Sequence, residues 1–387
     1  MIKQYILLNA YFNQNLGDDL FLYIIANRYP SYKFFIFSRY KRGFPENFYF
    51  SKNVCSLFLS KIHSFLYHRN LSCRVINFGY SQLIRKLVNN AICCVYIIGS
   101  GFIEKKNGLP NKEFLEHFYS EKTFILGCNF GPFRSPQYYR EYYKLFQKVA
   151  DVCFRETYSK ELFASLQLRC ESDIVFSYNL GEELPPRFSK GNYIVLSVIQ
   201  LQNHFSNECE VNIYKEFLVK CILYWSKYGK EIVITAFCKN EGDLTTALEI
   251  KTMAHSVSKD IVIEICAYPD YSYKEMMGIM KNSDLIIATR YHAMIIGFLY
   301  KKLVYPIVYS DKVVHVIHDI FGETLIARAN DLKDISLANF FENYGLLISS
   351  EKNEKCINSA NRQFEKLDDL LLNHSTDKMC DRGNNNE

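Results

Sequence analysis

The sequence predicts an α/β protein built from two doubly wound domains. Three observations carry that reading. The chain has 387 residues, about twice the length of an ordinary domain. Short apolar, β-rich runs recur in both halves, with few polar interruptions. Longer amphipathic stretches separate them. Continuous apolar strands suit a parallel sheet covered on both faces, and strand–helix alternation builds βαβ units.

In the first half the expected strands are Gln4–Ala10, Lys33–Ser38, Val95–Gly101, Thr123–Asn129 and Asp151–Glu156. In the second half they are Tyr193–Val198, Glu231–Phe237, Ile261–Cys266, Asp284–Arg290 and Leu303–Val308. Helices are expected over Ser135–Ala150, Glu210–Gly229 and Ser272–Ser283. Asn179–Asn192 carries two prolines, two glycines and charge between two runs of strands, so the domains should be 1–180 and 190–345. Residues 354–373 read as a terminal helix packing back on the body, and 374–387 as a disordered tail.

Composition removes several classes. Apolar residues make up 49% and charged residues 22%, so both halves can build cores. The thirteen cysteines sit mostly in apolar runs, as buried hydrophobes of a reducing compartment do, and no C-x-x-C pair or zinc-ligand spacing occurs. No metal is expected. The N-terminus lacks the run and cleavage site of a signal peptide, and no stretch has the ~18 apolar residues of a membrane span. A cytoplasmic protein is expected.

Net charge is only +5, but it is uneven. Ser31–Asn90 holds ten Lys or Arg, one acid (Glu46) and fourteen aromatics. That window reads either as a core with a solvated basic face, the more ordinary case, or as peripheral contact with anionic headgroups at the inner face of a membrane. No nucleic-acid module accompanies the charge, so nucleic acid is not an expected partner.

Three places are equipped for chemistry. Asn13–Leu20 follows the first strand: Gly17 allows close approach, Asp18 or Asp19 can cap the next helix, and Asn15 can bind a sugar hydroxyl. Gly99, Gly101, Gly127 and Gly131 end two further strands. They match neither a P-loop nor G-x-G-x-x-G, which disfavours an ATPase or a dinucleotide enzyme. Thr289–Val313 is the most specific: Arg290 and His292 open a helix after a strand, and Asp311 and Lys312 follow the next one. A fixed cation, a group titrating near neutrality and an amine are thereby grouped. Ala150–Ser159 and Ser283–Ala293 share a plan of Asp, buried strand, Arg, helix. Arg155 and Arg290 should therefore occupy equivalent sheet edges, where α/β proteins bind ligands and helix N-termini attract anions.

The order Asn15, Gly17, Asp18, Asp19; Gly99, Gly101; Gly131, Pro132; Arg155, Ser159; Asp173; Arg290, His292; Asp311, Lys312 resembles the polysaccharide pyruvyl transferase family over roughly Asn9–Val313. The resemblance implies two Rossmann-like domains facing a central cleft, as in the GT-B glycosyltransferases. It implies phosphoenolpyruvate as donor and co-substrate, with no cofactor. The acceptor would be a sugar of a surface polysaccharide or its lipid-linked precursor, and the products a pyruvate ketal and phosphate. Arg155, His292 and Lys312 carry the family's catalytic roles, with Arg290 as a further donor ligand. Asn15, Gly17, Asp18, Gly99 and Gly101 fall on the acceptor side, taken as the N-terminal domain. The rival readings are a GT-B glycosyltransferase using a nucleotide sugar and, in another class, a non-catalytic sugar- or lipid-binding protein.

Overall fold

The computed structural model describes residues 5–11, 13–36, 48–50, 85–104, 118–187, 192–203 and 208–383. Most of the basic, aromatic window, 37–47 and 51–84, lies outside the described residues, and with it the expected membrane contact. The chain forms two compact units. One comprises residues 1–11, 25–174 and 359–387, and the other 12–24 and 175–358.

The first unit holds a parallel sheet of β1 (Ile6–Ala10), β2 (Phe34–Ile36), β3 (Phe48–Phe50), β4 (Cys93–Ile97), β5 (Thr123–Cys128), β6 (Asp151–Phe154) and β7 (Arg169–Cys170). Their spatial order is β3-β2-β1-β4-β5-β6-β7. β4, β5 and β6 are buried along their whole length, as their unbroken apolar sequences require. Helices α2 (Pro136–Phe146) and α3 (Thr157–Leu162) follow β5 and β6. Ser135 caps α2 by accepting the Tyr138 N–H at 3.1 Å, with proline at the first helical position.

The second unit repeats the plan. β8 (Tyr193–Val198), β9 (Glu231–Ala236), β10 (Ile263–Ala267), β11 (Leu285–Ala288), β12 (Leu303–Val308) and β13 (Ala327–Arg328) are parallel, in the order β10-β9-β8-β11-β12-β13. β14 (Leu346–Leu347) adds antiparallel to β12. Helices α4 (Glu208–Ser226), α5 (Asp243–Val257), α6 (Tyr273–Asn282), α7 (Tyr291–Leu299) and α8 (Asp311–Phe321) alternate with the strands. In each sheet the winding reverses once, between β1 and β4 and between β8 and β11. Such switch points are where open α/β sheets take ligands.

All ten strands expected from the apolar runs are present. β3, β7, β13 and β14 are extra, and with two or three residues each they leave no periodic signal. The unit boundary at Ile174–Val175 lies just before the Pro/Gly-rich segment. Two segments cross it. Helix α1 (Leu16–Arg28) begins in the second unit, so residues 12–24 belong there and not with the N-terminal strands. The reason is long-range bonding: Leu16 donates its N–H to Phe237 O at 3.0 Å, Asn15 bridges Cys238, and the Tyr268 hydroxyl donates to Asp19 at 2.7 Å.

After α9 (Leu337–Asn343), the chain ends in α10 (Ser350–Arg362) and α11 (Glu365–Gly383). α11 packs on the first unit. Arg28 grips Asp368 through Nε at 3.1 Å and Nη2 at 2.5 Å, and Tyr29 donates to the same carboxylate at 2.7 Å. Gln363, fully buried, accepts from Gly127 N at 3.0 Å and donates to Phe154 O at 3.0 Å. No proline or glycine interrupts the sequence before Gly383, and α11 continues past residue 374, where a disordered tail was expected to begin.

Candidate functional site

In the second unit, Arg290 leaves the carboxyl end of β11 and takes extended backbone angles (φ −71°, ψ 129°) immediately before α7. Thr289 holds this strand end in place. Its N–H donates to Ser197 O at 2.9 Å, and its hydroxyl accepts from Tyr214 at 3.1 Å. The Arg290 side chain is 9% exposed and meets two carboxylates. Nε and Nη2 bind Asp243 at 2.8 and 2.5 Å, and Nη1 binds Glu241 at 2.6 Å. Burial opposes the charge on Arg290, but Asp243 and Glu241 outweigh it and hold the guanidinium above its ordinary value. Asp243 is itself fixed by the Cys238 N–H at 2.9 Å.

His292, the second residue of α7, lies against the first turn of α1. A β-carbon on Gly17 would sit 1.8 Å from His292 Nδ1 and 2.3 Å from its Cγ. Gly17 has no positive φ, so glycine is required here for space, not for backbone conformation. Asn15, just before α1, caps it by accepting the Gly17 N–H at 3.1 Å. Neither aspartate supplies that cap: Asp18 is half-buried in the first turn, and Asp19 accepts from Tyr268. Phe21, one turn on from Gly17, meets the imidazole edge-on at 5.4 Å. The first turns of α1 and α7 thus meet across Gly17 and His292.

Burial raises the Asp19 carboxyl to about 7, against the Tyr268 hydrogen bond and with help from Asp18. Burial likewise pushes the Cys238 thiol beside Asn13 up to about 12, so it stays neutral. Lys312 and Asp311 open α8 in the same unit. The Lys312 ammonium lies 5.9 Å from the centre of the Tyr309 ring, and Asp311 accepts from Arg328 at 3.0 Å. Among the described residues no three His, Cys, Asp or Glu side chains group to hold a metal ion.

Arg155 occupies the equivalent strand end of the first unit. Its side chain is 2% exposed, and it binds Asp173 at 3.0 Å and Asn129 at 2.9 Å. A β-carbon on Gly99 would meet its Nη1 at 2.7 Å. Gly101 makes room for the Tyr96 hydroxyl, 2.2 Å from where a β-carbon would be. The two glycines expected to serve an acceptor therefore leave room for neighbouring side chains, and Ser159 completes the strand end by donating to Glu156 while accepting from Phe130 N at 2.7 Å.

The structure brings Asn15, Gly17, Asp18, Arg290 and His292 into one unit, with Lys312. Arg155, Gly99 and Gly101 belong to the other. The sequence reading missed Glu241, Asp243 and Tyr268. Asp243 had a recoverable signal, an acid opening a helix just after a strand and a glycine.

No curated protein sequence matches the chain significantly. Among solved structures, UDP-GlcNAc 2-epimerase from Methanocaldococcus jannaschii is similar with a TM-score of 0.54, at 10% identity over 95% of this chain and 99% of that one. A putative UDP-N-acetylglucosamine 2-epimerase from Listeria monocytogenes gives 0.53, at 9% identity over 97% of each. The Neisseria meningitidis UDP-GlcNAc 2-epimerase gives 0.50, at 9% identity over 96% of this chain and 100% of that one. At these identities the likeness is one of fold, and it places the two doubly wound units in the GT-B-like class. The family model for polysaccharide pyruvyl transferase matches residues 15–311, from the capping Asn15 to the first residue of α8. That span takes in the Gly17–His292 contact, the Arg290 cluster and the Arg155 strand end, and the chain belongs to the polysaccharide pyruvyl transferase family.

Proposed function

We propose that this chain transfers the pyruvyl group of phosphoenolpyruvate to two hydroxyls of one sugar in a surface polysaccharide or its lipid-linked precursor. The observation that carries the reading is the contact of Gly17 with His292. It joins a proton-transfer group to two helix amino ends beside a buried arginine, a setting suited to a small anion with several charges.

The reaction moves two protons. Each attacking hydroxyl loses one; one ends on the methylene carbon, which becomes methyl, and one on the departing phosphate. Protonation of the methylene leaves an oxocarbenium-like second carbon. The first hydroxyl attacks it. The carbon–oxygen bond to phosphate breaks with its electron pair going to phosphate, and the second hydroxyl closes the ketal. His292 handles protons in this scheme, a role that typically contributes about 10²–10⁴-fold. Arg290 and the two helix ends orient the donor, and Lys312 neutralises the leaving phosphate. Arg155, closed in by Asp173 and Asn129, orders the Gly99–Gly101 strand end of the first unit. No cofactor enters the scheme.

The test is phosphate release from phosphoenolpyruvate with saccharide acceptors, comparing wild type, His292→Ala and Gly17→Ala. Both variants should lose about 10²–10⁴-fold in turnover, Gly17→Ala because a β-carbon displaces the imidazole. Near wild-type turnover in Gly17→Ala would remove the contact from the mechanism.

A further inference from the structure

Arg290 presents two edges, and the structure fills both with carboxylates of different standing. Asp243 takes the Nε–Nη2 edge in bidentate fashion; its side chain is 0% exposed, and the Cys238 N–H holds it. Glu241 takes Nη1 at 2.6 Å, and its side chain is 30% exposed. The two acids flank Gly242, whose φ of +88° turns the chain from a short 3-10 turn into α5. A β-carbon at Gly242 would meet the Gln200 side chain at 2.0 Å, so the backbone of this turn is tightly placed. Of the two, only Glu241 borders solvent.

The charges set a problem. One guanidinium against two carboxylates leaves the Arg290 edge itself net negative, although the helix amino ends beside it favour an anion. A phosphate ester carrying a carboxylate would be repelled at that edge, since like charges brought together at a binding surface oppose association. Rotation of Glu241 into solvent restores neutrality and exposes an N–H edge already arranged for a carboxylate.

We propose that Glu241 is a specificity-determining stand-in: it occupies the Arg290 edge that the donor's carboxylate takes, and it is displaced on binding. The site consequently selects phosphorylated ligands that also carry a carboxylate over phosphorylated ligands that lack one. This rests on the phosphoenolpyruvate reading above and assigns a residue to donor selection within it.

Calorimetric titration of the full chain with phosphoenolpyruvate and, separately, with inorganic phosphate tests it, for wild type, Glu241→Ala and Glu241→Gln. Glu241→Ala should bind phosphoenolpyruvate roughly tenfold more tightly, the relief of a like-charge contact, and should gain clearly less for inorganic phosphate. Glu241→Gln, which keeps the side-chain volume and can still accept from Nη1, should fall between wild type and Glu241→Ala. Equal gains for both ligands would reduce Glu241 to a general electrostatic effect and overturn the proposal. So would unchanged or weaker phosphoenolpyruvate binding in Glu241→Ala, with the wild type still binding it, and that result would leave the donor assignment standing. Failure of phosphoenolpyruvate to bind any of the three proteins would overturn the donor assignment together with it.

Discussion

Arg155 and Arg290 leave the carboxyl ends of strands in the two sheets, each just before a helix, and each meets a buried aspartate, Asp173 or Asp243. Their surroundings then diverge. Around Arg155 the further contacts include Asn129 at 2.9 Å and Ser100 at 3.5 Å, and the guanidinium is closed away at 2% side-chain exposure. Around Arg290 the second acid is the partly exposed Glu241, and His292 stands two residues on, against Gly17. One sequence plan has produced a closed ion pair in one unit and an ion pair with a partly exposed edge in the other. A strand-end arginine is therefore not by itself a ligand; the exposure of its second partner separates the two cases.

Breaking the two pairs should separate these cases. Asp173→Ala leaves a buried guanidinium uncompensated and should destabilise the protein by about 3–5 kcal/mol, read as a lowered denaturant midpoint. Glu241→Ala removes a partly exposed partner and should cost under about 1 kcal/mol. Equal losses would mean that the Arg290 cluster is as closed as that of Arg155.

A smaller effect sharpens the same contrast, because the second unit also stores a proton. Asp19 ordinarily ionises at 3.8, and burial moves it to about 7 in the fold. The folded protein therefore keeps a proton that the unfolded chain has released. The associated stability is complete below pH 4, is lost as pH rises through 7, and is flat above that. Asp19→Asn, whose amide oxygen still accepts from Tyr268, should remove this slope. Its melting temperature should match wild type near pH 4 and exceed it by a few degrees at pH 8. Parallel melting curves across that range would place the Asp19 ionisation back near its ordinary value.

How much of this was legible in the sequence depends on range. Apolar runs are local, and all ten strands read from them are present. Segment exchange is not local: residues 12–24 join the second unit through bonds to Phe237, Cys238 and Tyr268, more than 200 positions away, which no periodicity reports. The R-x-H and N-x-G-D-D motifs were each visible, but their contact was not, so Asn15, Gly17 and Asp18 were assigned away from His292. Gly17 read as allowing backbone to approach a ligand, whereas in the structure it leaves space for the His292 imidazole. Glu241 and Asp243 lay in an unremarked turn, because two acids around a glycine ordinarily signal a helix start and nothing more.

The central claim is that the Arg290–His292 cluster takes phosphoenolpyruvate. Thermal shift with phosphoenolpyruvate and with a panel of nucleotide sugars, on wild type and Arg290→Ala, tests it most directly. The account predicts stabilisation of the wild type by phosphoenolpyruvate alone, lost in the variant. Stabilisation by a nucleotide sugar and none by phosphoenolpyruvate would contradict it and shift the function to glycosyl transfer on the same fold.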